Sequence, residues 1–319
     1  MTKEGHLERT ANEPRDPSLH GVIIKYIDEI NPTVRVFRLE IPDGGTIKFL
    51  PGQWLDVHVP TVPKAGGFTI TSPPSKAIPS SSSSSPSSPL RTHPYPYIEL
   101  AIQKSPDNPP AAWLWQHPTS TILNSTLDVR VGGSFVWPPP LSLSPLRKAV
   151  FVAGGVGINP LMSMLSAVAE DQQQLSGVIP NLDVQVLYSV KDPGPQLQQN
   201  PSSVLFLDRI ASLFARGLLK GELKLFLTRG DGTSSTDGVA LAAGDEADVV
   251  SCCSGDYNVL LLRERISVSD VEAALGQDKQ SAVVYVCGVP TMTDHLVNVL
   301  TSTEGLAMEA DRVLYERWW

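Results

Sequence analysis

Cysteine is scarce in this sequence, and its scarcity excludes two classes of protein. Three cysteines occur among 319 residues, and two of them, Cys252 and Cys253, are adjacent. Three thiols cannot build the disulfide framework of a small secreted domain, so a reducing compartment is expected. Three thiolates also cannot ligate an iron–sulfur cluster in the usual four-cysteine arrangement.

Positive charge is also in short supply. The chain has 25 lysines and arginines against 33 aspartates and glutamates, a net charge of −8. This balance argues against a nucleic acid or an anionic membrane surface as the main partner. The six histidines show no metal-ligand spacing, so no metal site is predicted. The length suggests about two domains.

A targeting segment and a membrane span are lacking as well. Residues 1–18 mix acids with bases around no apolar stretch, unlike a signal or transit peptide, and are predicted to be a disordered lead-in. Residues 149–169 carry no charge and are long enough to span a bilayer. Three glycines and a proline would break that helix in mid-membrane, so no transmembrane segment is predicted and a soluble protein is expected.

The first part of the chain has the pattern of an antiparallel β-barrel. Apolar and polar residues alternate in short runs, as in half-buried strands. Six such strands are predicted, at residues 21–27, 37–41, 55–59, 67–71, 98–102 and 127–135. They predict a small barrel domain over residues 19–140. A serine- and proline-rich insertion at residues 73–96 cannot build a core and is predicted to be disordered.

After a proline-rich linker at residues 138–145, the pattern changes to that of a parallel sheet. Near-continuous apolar runs are expected of strands covered on both faces, and helical segments separate these runs. The predicted strands are 148–153, 182–189, 223–228 and 282–287. One helix should begin at Ser267, where Asp270 completes a capping box, and another at Thr291. Residues 146–319 are therefore predicted to be a doubly wound nucleotide-binding domain, with loops at 192–200 and 230–255.

A glycine turn follows the first parallel strand. The residues Gly154, Gly155, Val156 and Gly157 precede a predicted helix with Asn159 as its N-cap and Pro160 at its first position. Glycines allow close backbone approach to a phosphate, and free N–H groups of a first helical turn point at it. A second glycine turn, at Gly288, also lies between a strand and a helix. Both are predicted at the carboxyl ends of strands, where ligands bind.

The two glycine motifs, GGVGINPLMSML and YVCGVPTMTD, follow a barrel in the order found in the ferredoxin-NADP reductase superfamily, which the chain resembles from residue 21 to 319. The family's pyrophosphate turn is matched by Gly155, Gly157 and Pro160. Its Cys-Gly-Pro-x-x-Met turn beside the nicotinamide is matched by Cys287, Gly288 and Met292, with a valine replacing the first proline. The GGF segment and the terminal YERWW look most like the oxidoreductase NAD-binding domain-containing proteins.

This resemblance implies FAD as a cofactor, although the flavin motif is only partly kept. The family's Arg-x-Tyr-Ser/Thr motif aligns with Gly66, Gly67, Phe68 and Thr69, so an aromatic ring and a hydroxyl remain but the phosphate-binding cation is absent. A charge-assisted hydrogen bond contributes about 1.5–3 kcal/mol, so its loss would weaken flavin binding. The family's second phosphate element aligns with residues 108–114, where only the leucine is shared.

The resemblance also implies roles for three further residues. Cys287 would lie beside the nicotinamide, and the terminal aromatics Trp318 and Trp319 would cover the flavin. As alternatives, Cys287 and Phe68 could belong to the core, and the two tryptophans could be a hydrophobic anchor. Arg229, which follows the third parallel strand, could hold the 2′-phosphate of NADP(H). The second cation that usually follows is absent, so NAD(H) is expected and NADP(H) stays possible.

Taken with the resemblance, these features predict a NAD(P)H-dependent flavin oxidoreductase that transfers hydride to FAD. Electrons would leave to a separate, unidentified acceptor because the chain lacks iron–sulfur ligands of its own. Two alternatives remain: a NAD(P)-binding sensor without turnover, and a flavin reductase that uses free flavin as substrate. The resemblance implies a mitochondrial location, although no clear presequence is present, and a cytoplasmic location is the alternative.

Overall fold

The computed structural model describes residues 5–79, 95–140, 146–173, 179, 181–229, 248–277 and 279–317. The chain forms two units. The first contains Met1–Trp137 together with Met162–Ala167, and the second contains Pro138–Leu161 together with Val168–Trp319. Each unit has its own sheet, the first antiparallel and the second mostly parallel.

Six strands form the sheet of the first unit, and every paired neighbour runs antiparallel. They are β1 (His20–Asn31), β2 (Val34–Glu40), β3 (Trp54–His58), β4 (Gly66–Thr69), β5 (Tyr97–Gln103) and β6 (Thr126–Gly132), in the spatial order β4-β3-β6-β1-β2-β5. A bridge between Ile70, directly after β4, and Leu100 on β5 joins the two edges. The predicted six-stranded antiparallel barrel is confirmed.

Alternation of side chains explains why these segments close around a core. Phe37 and Leu39 on β2, and Leu55 and Val57 on β3, are completely buried and belong to one apolar cluster. The residues between them point to the opposite face of the strand. Burial of each such side chain contributes about 1.5–3 kcal/mol relative to exposure, so a period of two is enough to select the inner face.

The segment predicted to be a disordered lead-in packs against the barrel from residue 5 onward, so that prediction is wrong for its described part. Residues His6–Arg9 form a short helix, α1. Further along, the backbone N–H of Asp16 donates to the carbonyl of Val131 at 2.9 Å. The segment is ordered because two of its side chains, His6 and Arg15, meet one buried carboxylate.

That carboxylate is Asp56 on β3, which has no exposed surface. Its Oδ1 lies 2.9 Å from His6 Nε2, and its Oδ2 lies 3.0 Å from Arg15 Nε and 2.7 Å from Arg130 Nη2. Burial alone would raise the pKa of Asp56, but hydrogen bonds from His6, Arg130 and Arg15 outweigh it and hold the pKa at about 2. Asp56 therefore stays ionised and ties the N-terminal segment to β3 and β6.

Seven strands form the sheet of the second unit. They are β7 (Lys148–Gly154), β8 (Asp183–Lys191), β9 (Lys220–Thr228), β10 (Val249–Cys252), β11 (Tyr257–Leu262), β12 (Ala282–Cys287) and β13 (Val313–Glu316), in the spatial order β10-β11-β9-β8-β7-β12-β13. All neighbours are parallel except β10 and β11. The predicted parallel nucleotide-binding sheet is confirmed, with one antiparallel edge strand added.

Helices connect most of these strands, and their starts show what capping patterns can reveal. The helices beyond α1 are α2 (Pro109–Leu114), α3 (Ile158–Gln172), α4 (Gln196–Gln199), α5 (Leu207–Ala215), α6 (Val268–Leu275) and α7 (Pro290–Thr301). The capping box of Ser267 and Asp270 at α6 is confirmed.

Two other helix starts were predicted at the wrong residue. Gly157 is the N-cap of α3, so Asn159 and Pro160 lie inside its first turn. Val289 is the N-cap of α7, which begins at Pro290 and not at Thr291. In both cases a proline, which lacks an N–H, fits the first turn without any side-chain cap.

Strands β10, β11 and β13 escaped prediction, and all three lie at or near the edges of the sheet. Residues 230–255 were predicted to be a loop, yet Val249–Cys252 is β10 and pairs with β11. The four residues of β13 pair with β12 at the other edge. Runs of four residues carry little periodic signal, and their strand conformation comes from the neighbouring strand.

Several predictions fall outside the described residues. These are most of the Ser/Pro insertion (80–94), part of the linker (141–145), most of the loop at 230–247, and Trp318 and Trp319. The described start of the insertion, Pro74–Ala77, forms a turn of 3-10 helix with Ala77 buried. Within the described ranges, every helix is too short or too polar to cross a bilayer.

The Asp56 cluster generates a prediction about acid stability. The folded pKa of about 2 lies below the ordinary value of 3.8, so the carboxylate stabilises the fold above about pH 4 and loses this contribution as pH falls towards 2. The shift corresponds to about 2 kcal/mol. Denaturant titrations at pH 7 and pH 3 should show that Asp56→Asn is much less stable than the wild type at pH 7 and closer to it at pH 3. An equal gap at both pH values would contradict this assignment.

Candidate nucleotide-binding site

The strand order of the second unit locates the site. Counted along the chain, the six parallel strands occupy the positions 4-3-2-1-5-6, from β11 to β13. The order therefore reverses between β7 and β12, which are parallel neighbours. Connections leave such a pair towards opposite faces of the sheet, and a crevice opens at the carboxyl ends of the two strands. Both predicted glycine turns lie at this switch point.

The first turn exposes its backbone at Gly155. This residue directly follows β7 and has a φ of +54°, a left-handed conformation that favours glycine. A β-carbon added there would meet no atom within 4 Å. The turn thus presents bare backbone to open space, which is what close approach of a phosphate requires. Gly154 and Val156 on either side are half-buried.

Gly157 packs directly against the end of β12. A β-carbon at this position would overlap the carbonyl oxygen of Cys287 and lie 2.8 Å from the amide nitrogen of Gly288. The glycine is therefore required by the close approach of two backbones. It fixes the first glycine turn against the end of β12.

Met292 lies over both glycine segments. A β-carbon on Gly154 would lie 3.1 Å from the Met292 methyl group, and one on Gly288 would overlap it. Gly154 and Gly288 themselves approach closely, since a β-carbon on Gly288 would lie 3.0 Å from the amide nitrogen of Gly154. The structure thus brings together five residues predicted from two separate motifs: Gly154, Gly157, Cys287, Gly288 and Met292.

The first turn of α3 supplies the helical part of the site. Asn159 and Pro160 are buried there, so neither is a surface cap. The helix is 15 residues long and carries no acidic side chain in its first turn. Its N-terminal end therefore keeps the partial positive charge of the helix dipole, which favours an anion.

Cys287 is the last residue of β12 and is completely buried. In register it lies beside Ala153 on β7 and Glu316 on β13. Its side chain fills the end of the strand, and its backbone borders the glycine turns.

The end of the described chain passes close to the same strand. Glu316 pairs in register with Cys287, and the next residue, Arg317, forms an ion pair with Asp294 of α7 at 2.7 Å. The predicted aromatics Trp318 and Trp319 lie outside the described residues, so their contacts are not defined.

Arg229 lies apart from the glycine turns. It directly follows β9 and is exposed, and β8 separates β9 from β7. Since neighbouring strands are about 4.8 Å apart, roughly 10 Å of sheet lies between the ends of β9 and β7. Arg229 shares the carboxyl edge with the turns but is not part of their cluster.

In the first unit, the segment aligned with the flavin motif forms β4. The ring of Phe68 is partly buried against the barrel core. A β-carbon on Gly66 would lie 2.6 Å from that ring and 2.8 Å from Cβ of Pro110 on α2. Gly66, predicted to stand at the arginine position of the ferredoxin-NADP reductase flavin motif, thus has no room for a side chain in this arrangement. Thr69 is buried, and the imidazole of His6 occupies the place of a side chain at Gly67.

Sequence reasoning missed the side chains that surround β4. His6, Arg15, Asp56 and Arg130 come from three separate segments, and no local pattern links them. In the part of the chain that the structure describes, no group of three or more histidine, cysteine or acidic side chains is placed to hold a metal ion.

Comparison with known proteins identifies relatives along nearly the whole chain. "Oxidoreductase NAD-binding domain-containing protein 1" of Danio rerio is 30% identical over 318 residues, which cover 98% of this chain and 97% of that protein. The Homo sapiens protein of the same name is 27% identical over 321 residues, covering 99% of this chain and 85% of that protein. No protein-family model matches the chain.

Solved structures share the fold at low sequence identity. A ferredoxin NADP+ reductase from Neisseria gonorrhoeae with bound FAD and NADP has a TM-score of 0.59 at 15% identity, covering 95% of this chain and 100% of its own. The ferredoxin reductase of carbazole 1,9a-dioxygenase has a TM-score of 0.60 at 15% identity, covering 95% of this chain and 70% of its own. Both have the two-unit fold of ferredoxin-NADP reductases.

The contact between Gly157 and β12 predicts a stability effect. Gly157→Ala should lower the free energy of unfolding by about 1–3 kcal/mol, because an added methyl group overlaps backbone that cannot rotate away. Gly21→Ala is the control, since its added methyl would meet no atom within 4 Å. Denaturant unfolding of both variants tests the contact, and equal stability would show that the two turns are not closely packed.

Proposed function

The chain belongs to the family of oxidoreductase NAD-binding domain-containing protein 1, and from this membership we propose that it transfers hydride from NAD(P)H to FAD. The electrons then pass to a separate acceptor. The observation that carries the proposal is that two glycine segments meet at the switch point. The open backbone of Gly155 lies there, just before the start of α3.

In this proposal the nucleotide pyrophosphate lies on the first glycine turn, between β7 and α3. Gly155 offers a surface without a side chain, and Val156 follows it in the glycine turn. The first turn of α3, with Asn159 and Pro160, supplies the positive end of a helix dipole. The chemistry of this turn fits a phosphate, because it provides backbone and dipole and lacks an acidic side chain.

The nicotinamide end lies along the second turn. Cys287 and Gly288 present backbone at the end of β12, and Met292 supplies an apolar surface over them. These groups bind and orient the ring and exclude water; none of them has to exchange a proton with the substrate. Cys287 therefore contributes to catalysis through its position at the nicotinamide end, and Trp319 is proposed to cover the flavin.

FAD, when bound, supplies the acceptor for the hydride. Phe68 fits one face of the isoalloxazine ring because part of its own ring is exposed, and Thr69, Gly66 and Gly67 define the strand beside it. Trp318 is proposed to lie against the same flavin. The fit is incomplete at the phosphate, since Gly66 offers neither a cation nor room for one.

NAD(H) is the proposed nucleotide, and NADP(H) is a possible second one through Arg229. The exposed arginine at the carboxyl edge is suited to a 2′-phosphate, but it stands two strands from the glycine turn. A mitochondrial location is part of the same proposal and rests on family resemblance, with the cytoplasm as the alternative.

The crowding at Gly66 favours one competing function. With no strand cation for the phosphate, flavin could bind weakly enough to be a substrate, which would make the protein a flavin reductase. If flavin binding were lost completely, the protein would be a NAD(P)-binding sensor without flavin chemistry.

The visible spectrum of the purified protein separates these functions. We expect a bound-flavin spectrum after addition of FAD, and bleaching of that spectrum by NADH. Turnover of free flavin without a stable complex would identify a flavin reductase. Binding of NADH with no effect of flavin would identify a sensor and refute the oxidoreductase.

The open turn gives a matched test of nucleotide binding. Gly155→Asp should weaken NADH and NADPH binding at least about tenfold, because the carboxylate would face the pyrophosphate, and like charges in contact cost several kcal/mol. Gly217→Asp is the control. Gly217 has a similar φ of +65° and open surroundings, but it precedes β9 and so lies at the amino-terminal ends of the parallel strands. Aspartate tolerates this conformation. Equal nucleotide affinity in the two variants would rule out the turn as the pyrophosphate site.

A further inference from the structure

One face of β4 is covered by the ring of His6. A β-carbon added at Gly67 would overlap the Cε1 and Nδ1 atoms of this imidazole. The glycine is thus required because a side chain from a distant segment fills its place. His6 is only 7% exposed, so the ring belongs to the packed interior of this face.

Two contacts fix the position of the imidazole, and a third holds the helix that carries it. Its Nε2 lies 2.9 Å from Asp56 Oδ1, and Asp56 is the register partner of Gly67 on the neighbouring strand β3. The edge of the ring meets Trp54 with a centroid distance of 4.7 Å and an interplanar angle of 82°. The hydroxyl of Thr10 donates to the His6 carbonyl at 2.7 Å, which holds α1 in place.

A second set of contacts anchors the segment further along. Arg15 donates to Asp56 from Nε, and its guanidinium stands 5.0 Å above the Trp54 ring. The backbone of residues 14–16 continues along the end of β6, where Gly133 N–H donates to Pro14 at 3.0 Å. Residues 5–16 are hereafter called the N-terminal clasp.

The clasp lies on the face of β4 opposite to Phe68. Successive side chains of a strand point to opposite faces, so Gly67 and Thr69 share one face and Gly66 and Phe68 share the other. Leu55, the register partner of Phe68, belongs to the barrel core, whereas Asp56, the partner of Gly67, pairs with the clasp. His6 therefore supports β4 from the face opposite to Phe68, whose ring is only partly buried.

We propose that His6 is a positioning residue for flavin binding, through which the N-terminal clasp fixes the β4 segment Gly66–Thr69. The inference rests on the proposed binding of FAD at this segment. Two glycines in a row make β4 soft, because glycine lacks the side-chain packing that holds a strand in place. The imidazole supplies that packing for Gly67, and Asp56 holds the imidazole.

The test compares FAD affinity in three single variants of the full chain. His6→Ala should weaken FAD binding about tenfold, because β4 would then have to be ordered when FAD binds, and ordering costs on binding are of about this size. Leu7→Ala, at an exposed position on the same helix, should leave FAD affinity unchanged. Val22→Ala removes buried core from β1 and serves as the stability control, because it should lower the melting temperature and keep FAD affinity.

A pair of variants tests the contact itself. Gly67→Ala alone should weaken FAD binding as much as His6→Ala does, because the methyl group displaces the imidazole. In a His6→Gly background the same methyl group has room, so Gly67→Ala should have little further effect on FAD affinity. NADH affinity, measured in every variant, should not change, and this confirms that the second unit is folded.

Each outcome decides one claim. Wild-type FAD affinity in His6→Ala would overturn the positioning role and leave the proposed function intact. Equal losses in His6→Ala and Val22→Ala would also overturn it, since loss of stability alone would then explain them. Additive losses for His6 and Gly67 would show that the two positions do not interact. Absence of FAD binding by the wild type would overturn the proposed function, and the positioning role with it.

Discussion

The candidate site depends on one backbone contact, between Gly157 and the carbonyl of Cys287. The contact brings the end of β7 against the end of β12 at the point where the strand order reverses. Because no side chain separates them, the open turn at Gly155 is held at a fixed place relative to Gly288. Met292 covers the seam between the two. A phosphate surface and a nicotinamide surface can share one crevice only if the two strand ends are this close.

Much of the fold and about half of this arrangement could be predicted from the sequence. Strands with a clear period, such as those around Leu55 and Leu100, were found because alternation is a local property. The glycines were found because their spacing is unusual. The different surroundings of Gly155 and Gly157 could not be predicted, since both are glycines in one motif. Only the position of Cys287 in the fold shows that Gly157 is packed while Gly155 is open. The short strands β10 and β13 were missed because four residues cannot show a period.

The flavin side differs because its support is nonlocal. In β4 the sequence has two adjacent glycines, which were interpreted as a flavin motif without its phosphate-binding arginine. The structure accounts for both by packing: Phe68 and Pro110 fill the space at Gly66, and His6 fills the space at Gly67. The charged residues around Asp56 were read as a disordered lead-in, because their partner lies some 40 to 50 residues away. A charge-rich segment is therefore disordered only when the fold offers it no buried group of opposite charge.

The cluster at Asp56 also constrains the order in which the chain can fold during synthesis. His6 leaves the ribosome first, but Arg130, which completes the charge pairing, is made about 120 residues later. At roughly 5–20 residues per second, the N-terminal segment waits on the order of ten seconds for its last partner. Strand β6, which carries Arg130, also supplies the partner for β1 and β3. The first unit therefore cannot close until nearly all of it has emerged, and its earliest residues are among the last to find their place.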